Sequence, residues 1–187
     1  MSVPLAQPIE GRVVRVGDNV DTDVIIAGPY LNLTDPAELG AHLLETYDPD
    51  LSARLAAGDV LVAGENFGSG SSREQAPIAM LGRGIVAVIA ASFARIFLRN
   101  AINLGLPAIE SRDAAAALQS GERVRIDLRA GEIVGESSGS FPVPPSPPFL
   151  AAIIDAGGLV PWVRARLAST GGQAAPSSER FGGDHQP

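Results

Sequence analysis

The residues best suited to chemistry lie in one run, Gly64-Glu65-Asn66-Phe67-Gly68-Ser69-Gly70-Ser71-Ser72-Arg73-Glu74. The run follows a short apolar segment and opens a helical pattern, an arrangement that aims backbone amides at an anion. Three familiar glycine-rich devices do not fit it. A P-loop needs Gly-Lys-Ser/Thr, and all fourteen basic residues of this chain are arginine. A dinucleotide fingerprint beginning at Gly68-Ser69-Gly70 puts Arg73 where glycine or alanine belongs, and no acidic residue closes the next strand. A nucleophile elbow needs Gly-x-Ser-x-Gly, which this run does not contain. What remains is two serines and an arginine at the mouth of a helix. Ser71 with Glu74 matches the Ser-x-x-Glu capping box. The same residues also compose a carboxylate pocket, because helix-start amides and the Arg73 guanidinium both favour an anion. The two readings are compatible, since donors that hold a serine oxygen also stabilise its alkoxide.

Composition narrows the chemistry further. The chain has 187 residues, long enough for one domain with a real core, and 45% of them are hydrophobic. It has no cysteine, which rules out a disulfide framework, a cysteine nucleophile and an iron–sulfur cluster held by this chain alone. Only His42 and His185 are available, too few for a histidine-built metal site. The absence of lysine removes Schiff-base chemistry. A net charge of −7 argues against a nucleic-acid partner, which requires a basic face. The start of the chain carries no signal-peptide pattern, and no run reaches the roughly 18 apolar residues of a membrane span. A soluble cytoplasmic protein, with no membrane partner, is expected.

The elements that must position the loop alternate between strand and helix. Residues 11–16, 60–63, 85–90 and 107–110 read as strands, and 24–26 as a short apolar run. Asp35-Pro36 and Glu38 announce a helix carrying Leu39, Leu43 and Leu44. A helix is expected from about Ser72, and a second, capped by Ser92, as far as Asn103 with Phe93, Ile96 and Phe97 as its core stripe. Arg95 and Arg99 stand one turn apart on it, and Asn100 and Asn103 could satisfy loop carbonyls or its C-terminus. Residues 113–119 look helical, 123–128 and 132–134 form a hairpin-like pair, and 149–167 read as two helices broken at Gly157-Gly158. Helices separating the central strands imply parallel pairing. A folded domain is expected over 1–168 and a disordered tail, containing His185, over 169–187.

The run from Gly64 to Ala76, followed by Ala87-Val-Ile-Ala-Ala-Ser-Phe-Ala-Arg-Ile-Phe-Leu-Arg-Asn-Ala-Ile-Asn-Leu-Gly-Leu-Pro107, closely resembles the small subunits of the 3-isopropylmalate dehydratase family. Asp21-Thr22-Asp23 and Gly28-Pro29-Tyr30-Leu31 fit the same pattern, and the resemblance spans roughly residues 13 to 167 in matching order. It implies an α/β fold: a single aconitase-type swivelling domain, layered β/β/α with a mixed, partly parallel sheet. It also implies a large iron–sulfur partner subunit whose three cysteines hold a [4Fe–4S] cluster, one iron acting as a Lewis acid. In such proteins the serine matching Ser71 is the base, the arginine matching Arg73 holds substrate carboxylate, and the serine matching Ser72 lines the pocket. Thr22 and Asp23 match positions near the active site. The chain departs from much of the family at Gln75, where histidine is frequent, and that leaves the base assignment intact.

The resemblance makes Tyr30-Leu31-Asn32-Leu33 the specificity loop. Homoaconitase-like members carry an arginine after Tyr-Leu, suited to an extra carboxylate; here Asn32 and apolar Leu33 stand instead. The expected substrate is therefore a small hydroxy-dicarboxylate, isopropylmalate, dehydrated and rehydrated through isopropylmaleate in leucine biosynthesis. A homoaconitase or other hydroxy-acid dehydratase small subunit is one alternative, and a non-catalytic carboxylate-binding module of the same fold is another. Because the chain has no thiolate, the purified chain alone is expected to be colourless, iron-free and inactive. Metal analysis checks this, and stoichiometric iron in the isolated chain would contradict it.

Overall fold

The structure, a computed structural model, describes residues 7–170. Its frame is one seven-stranded mixed sheet in the order β4-β3-β2-β1-β5-β6-β7. The strands are β1 (Ile9–Arg15), β2 (Asp59–Ala63), β3 (Ala87–Ala90), β4 (Ala108–Glu110), β5 (Arg123–Asp127), β6 (Glu132–Gly135) and β7 (Gly139–Pro142). From β1 through β4 the pairing is parallel, because helical segments intervene between these strands: α1 (Thr22–Ile25), α2 (Pro36–Ala41), α3 (Pro49–Arg54), α4 (Gln75–Arg83) and α5 (Arg95–Asn103). From β1 through β5, β6 and β7 it is antiparallel, with tight turns in place of crossovers between β5, β6 and β7. Three further helices, α6 (Arg112–Ala117), α7 (Pro148–Asp155) and α8 (Leu159–Thr170), complete the described chain.

The two halves of the sheet are buried differently, and their sequences say so. The side chains of β2 and β3 are fully buried on both faces, so Val60-Leu61-Val62-Ala63 is an uninterrupted apolar run. In β5 exposure alternates, with Val124 and Ile126 inward and Arg123 and Arg125 outward. One core cluster packs Ile25, Leu39, Leu61, Phe67, Met80 and Phe97 beneath one face. The other packs Val13, Val60, Val62, Ile89, Ile126 and Ile133 beneath the opposite face. Helices α2 and α4 cross closely because Gly40 and Gly82 carry no side chain: a Cβ on Gly82 would collide with the Pro36 carbonyl.

Several sequence expectations hold. Asp35 caps α2, accepting from Ala37 N at 2.8 Å and Glu38 N at 3.0 Å. The helix break at Gly157-Gly158 is present, and α7 and α8 meet there at 97°. Others change. The short apolar run at 24–26 takes its form from outside itself: it is the end of α1 and its cap, because Asp21 Oδ1 captures the amides of Asp23 and Val24. Ser92 does not cap α5, which begins three residues later; its hydroxyl donates to Glu65 Oε2 at 2.6 Å and accepts from Asn66 N at 2.8 Å. Ile96 is 43% exposed and lies outside the core stripe, beside exposed Arg95 and Arg99. The last helix runs to Thr170, and residues 171–187, including His185, lie outside the described residues. Among the described residues no single helix is long and apolar enough to cross a membrane.

Glu122 staples the antiparallel half. Its carboxylate accepts from Ser137 N (3.0 Å), Ser137 Oγ (2.9 Å), Ser138 Oγ (2.6 Å) and the amide of Gln119. Burial pushes this carboxyl up, but the hydrogen bonds outweigh burial and hold it at about 2. A folded-state pKa below the unfolded value of roughly 4.3 stabilises the fold above that pH. The contribution fades as pH falls toward about 2. Glu122→Gln is expected to cost about 1–2 kcal/mol at neutral pH in chemical denaturation. Its deficit should narrow below pH ~4.5, and a pH-independent deficit would contradict the account.

Candidate functional site

The glycine-rich loop leaves the carboxyl end of β2, at the edge where β1 and β3 also end. Ligands of open parallel sheets gather at this edge. Parallel pairing continues past the strands as two isolated bridges, Asp21 with Ser69 and Phe67 with Phe93. The amide of Gly68 donates to Val20 O at 2.8 Å, and that of Thr22 donates to Ser69 O at 2.8 Å. On the other flank, Phe67 N donates to Ser92 O at 3.0 Å and Ala94 N to Phe67 O at 2.9 Å. The loop is thereby sewn to α1 on one side and to the entry of α5 on the other.

Left-handed backbone lets the loop follow this path. Asn19 (φ 54) and Asn66 (φ 56) adopt it, and asparagine tolerates it better than most residues. They also bond each other, Asn66 Nδ2 donating to Asn19 Oδ1 at 3.1 Å. Glu65 is anchored by Ser92 and by an ion pair with Arg112 at 2.6 Å. Gly68 (φ +76) lies directly on the Phe97 ring, where any Cβ would collide. Phe97 in turn packs edge-on to Phe67, with ring centroids 5.2 Å apart.

Two side-chain pairs face each other across the junction. Thr22, 1% exposed, places Oγ1 2.9 Å from Ser71 Oγ. The Arg73 guanidinium forms an ion pair with Asp23, whose side chain is 64% exposed. Arg73 Nη1, the nitrogen that meets Asp23 Oδ1, is enclosed. Consecutive residues of α1, Thr22 and Asp23, thus meet Ser71 and Arg73 of the loop. Ser72 is exposed between them, and its carbonyl accepts from Asn100 Nδ2 at 3.2 Å. Asn100 does hold a loop carbonyl, as its place on α5 suggested.

The capping box is not formed. Helix α4 begins at Gln75, with Glu74 in the cap position and no side-chain bond to its first turn. Pro77 stands in that first turn and brings no amide, so fewer donors need capping. Ser71 is consequently turned toward Thr22 rather than toward helix amides. Residues 28–30 form a 3₁₀ turn, after which Leu31 and Leu33 pack half-buried on the core and Asn32 is exposed. Among the described residues, no hydrogen bond joins Tyr30-Leu31-Asn32-Leu33 to Ser71 or Arg73. This loop belongs to a separate cluster that no motif or spacing announces: the Tyr30 ring stacks on His42 at 3.6 Å and 8°, and His42 Nδ1 lies 2.7 Å from Glu45 Oε2.

Among the described residues no three His, Cys, Asp or Glu side chains are grouped to hold a metal ion, and the chain has no thiolate. The site's own resources are a hydroxyl pair and a guanidinium, suited to proton transfer and carboxylate binding. Gly68→Ala is expected to destabilise the fold by about 2–3 kcal/mol through the Phe97 clash and the left-handed backbone. Unchanged thermal stability would contradict the close approach of Gly68 to Phe97.

Residues 44–114, which include the loop, match the family model described as the aconitase C-terminal domain. The 3-isopropylmalate dehydratase small subunit of Moorella thermoacetica is 50% identical over 163 residues, covering 87% of this chain and 98% of that one. The 2,3-dimethylmalate dehydratase small subunit of Eubacterium barkeri is also 50% identical, over 83% of this chain and 96% of its own. A crystal structure of 3-isopropylmalate dehydratase from Methanocaldococcus jannaschii superposes with a TM-score of 0.82 at 46% identity, covering 88% of this chain and 98% of that one. Agreement of this extent in both sequence and fold has one consequence: the chain belongs to the 3-isopropylmalate dehydratase small-subunit family.

Proposed function

We propose that this chain is the small subunit of a cytoplasmic 3-isopropylmalate dehydratase. That hydro-lyase interconverts 2-isopropylmalate and 3-isopropylmalate through isopropylmaleate, in leucine biosynthesis. The observation that carries the reading is the Thr22–Ser71 pair beside the Asp23–Arg73 pair, on a chain with near full-length relatives of that name. Its partner is a large subunit whose cysteines carry a [4Fe–4S] cluster. When bound, that cluster supplies an open iron position as Lewis acid for the departing hydroxyl.

This chain's residues supply the proton transfer and part of the binding. Ser71 Oγ takes the proton from the carbon next to a substrate carboxylate. Its alkoxide needs donors and positive charge to exist near neutral pH. Thr22 Oγ1, buried and 2.9 Å away, donates to it, and the neighbouring Arg73 supplies the charge. The same Arg73 grips the carboxylate through its forked guanidinium, which Asp23 holds in place at Nη1. Asp23 orients the guanidinium until substrate arrives, and Ser72 lines the mouth of the pocket.

The loop Tyr30-Leu31-Asn32-Leu33 presents an uncharged wall to the substrate's side chain. A tricarboxylate would leave its third carboxylate without a cationic partner there, which is costly. Isopropylmalate is therefore preferred over homoaconitate. The close relative named for 2,3-dimethylmalate favours one second reading, a dehydratase for a smaller branched malate.

In the complex reconstituted with its large subunit, Ser71→Ala is expected to lower kcat about 10²–10⁴-fold with assembly intact. Unchanged turnover would remove Ser71 as base and leave a non-catalytic carboxylate-binding module. Arg73→Lys should raise KM, because an ammonium cannot copy the two-pronged grip. Hydration rates of isopropylmaleate, dimethylmaleate and cis-homoaconitate decide the substrate, and a preference for either of the last two would overturn the isopropylmalate assignment.

A further inference from the structure

We propose that His42 and Glu45 are positioning residues for substrate selection, clamping Tyr30 and so setting the wall that the Tyr30-Leu33 loop presents. The inference rests on the reading of that loop as substrate-facing. The loop has little regular structure of its own: one 3₁₀ turn, Gly28–Tyr30, leads into irregular chain as far as the cap of α2. A segment of this kind needs an external anchor to hold one shape.

Three side chains provide one. The Tyr30 and His42 rings lie nearly parallel with centroids 3.6 Å apart. His42 Nδ1 is 2.7 Å from Glu45 Oε2, and the same carboxylate acts on the Tyr30 phenol. The phenol ring is held by the imidazole stacked on it, and the imidazole is held by the carboxylate. The hydrogen bond to Glu45 is the main cause that holds the Tyr30 phenol above its ordinary value, with lesser contributions from burial and the negative charge. Glu45 itself is drawn below the usual carboxylate range, chiefly by His42 and then by Tyr30.

The clamp sits on a rigid base that also carries the reactive pair. His42 is the C-terminal cap residue of α2, whose close crossing with α4 depends on Gly40 and Gly82. Between His42 and Glu45, Leu43 and Leu44 are fully buried. Leu44 adopts a left-handed backbone (φ 59), which a bulky residue keeps only where its surroundings over-determine it. Its amide donates to Ile25 O at 2.9 Å, and Thr46 Oγ1 donates to Val24 O at 3.3 Å. The clamp is therefore bonded to α1, the helix that presents Thr22 and Asp23. The position of Tyr30 relative to Ser71 is set through this segment.

The test uses the complex with the large subunit and the full chain alone. His42→Ala is expected to raise KM for isopropylmaleate about tenfold, with kcat changed less than about twofold, and to narrow the preference over dimethylmaleate. His42→Phe, which keeps a ring for Tyr30, should recover most of the KM. In the isolated chain with Tyr47→Phe, leaving one of two tyrosines, Glu45→Gln should lower the phenol titration followed by absorbance. If His42→Ala leaves KM and preference unchanged while Tyr30→Ala moves both, the clamp is overturned and the loop reading stands. If Tyr30→Ala also moves neither, the loop reading fails and the clamp with it. Equal impairment of His42→Ala and His42→Phe, or an unmoved phenol titration in Glu45→Gln, overturns the clamp.

Discussion

Parallel backbone pairing that continues beyond the ends of β1, β2 and β3 is the constraint on which the site depends. Buried amides and carbonyls must find partners, and at the rim of a parallel sheet the neighbouring strand exits are the nearest ones. The bonds from Gly68 to Val20 and from Thr22 to Ser69 meet that need, and in doing so bring residues some 49 positions apart within hydrogen-bonding distance. Without them Ser71 would have no Thr22 and Arg73 no Asp23. Left-handed backbone at Asn19, Asn66, Gly68 and Gly70 is what allows both chains to keep pairing while they turn.

The surrounding fold serves this rim unequally. The two central parallel strands, β2 and β3, are buried on both faces and supply rigidity, with Phe97 pressed against Gly68 and Asn100 holding the Ser72 carbonyl. The antiparallel half is covered on one face only and is fastened by Glu122. All the site residues lie at the carboxyl end of the parallel half, where helix entries and exits gather. A pocket built from serine, threonine and arginine at such an edge is open on one side, and the proposed large subunit is what would close it.

Much of the element order was legible because each half of the sheet carries its own pattern. Continuous apolar runs mark β2 and β3, and alternation marks β5. Asp35-Pro36 declared the start of α2. Asp48-Pro49 carries the same signal for α3, but that helix is short and only half apolar, so no periodicity supports the signal. Strand β7, Gly-Ser-Phe-Pro, has almost no strand signature and exists because β6 offers it a free edge. The two serine caps misled for one reason: at Ser71 and Ser92 a tertiary partner, Thr22 or Glu65, competes for the hydroxyl and wins. A local pattern records only local partners.

Residue types alone set the chemical vocabulary of this protein. No cysteine, no lysine and scarce histidine confine it to hydroxyl, carboxylate and guanidinium groups, and residue types do not depend on the fold. Its motif order also placed it among the dehydratase small subunits. Which hydroxyl meets which was decided only by tertiary structure. The pairing of Ser71 with Thr22, and the closing of Tyr30, His42 and Glu45 into one cluster, depend on register between strands and on the crossing of α2 with α4. Those are properties of packing between distant segments, and no spacing along the chain encodes them.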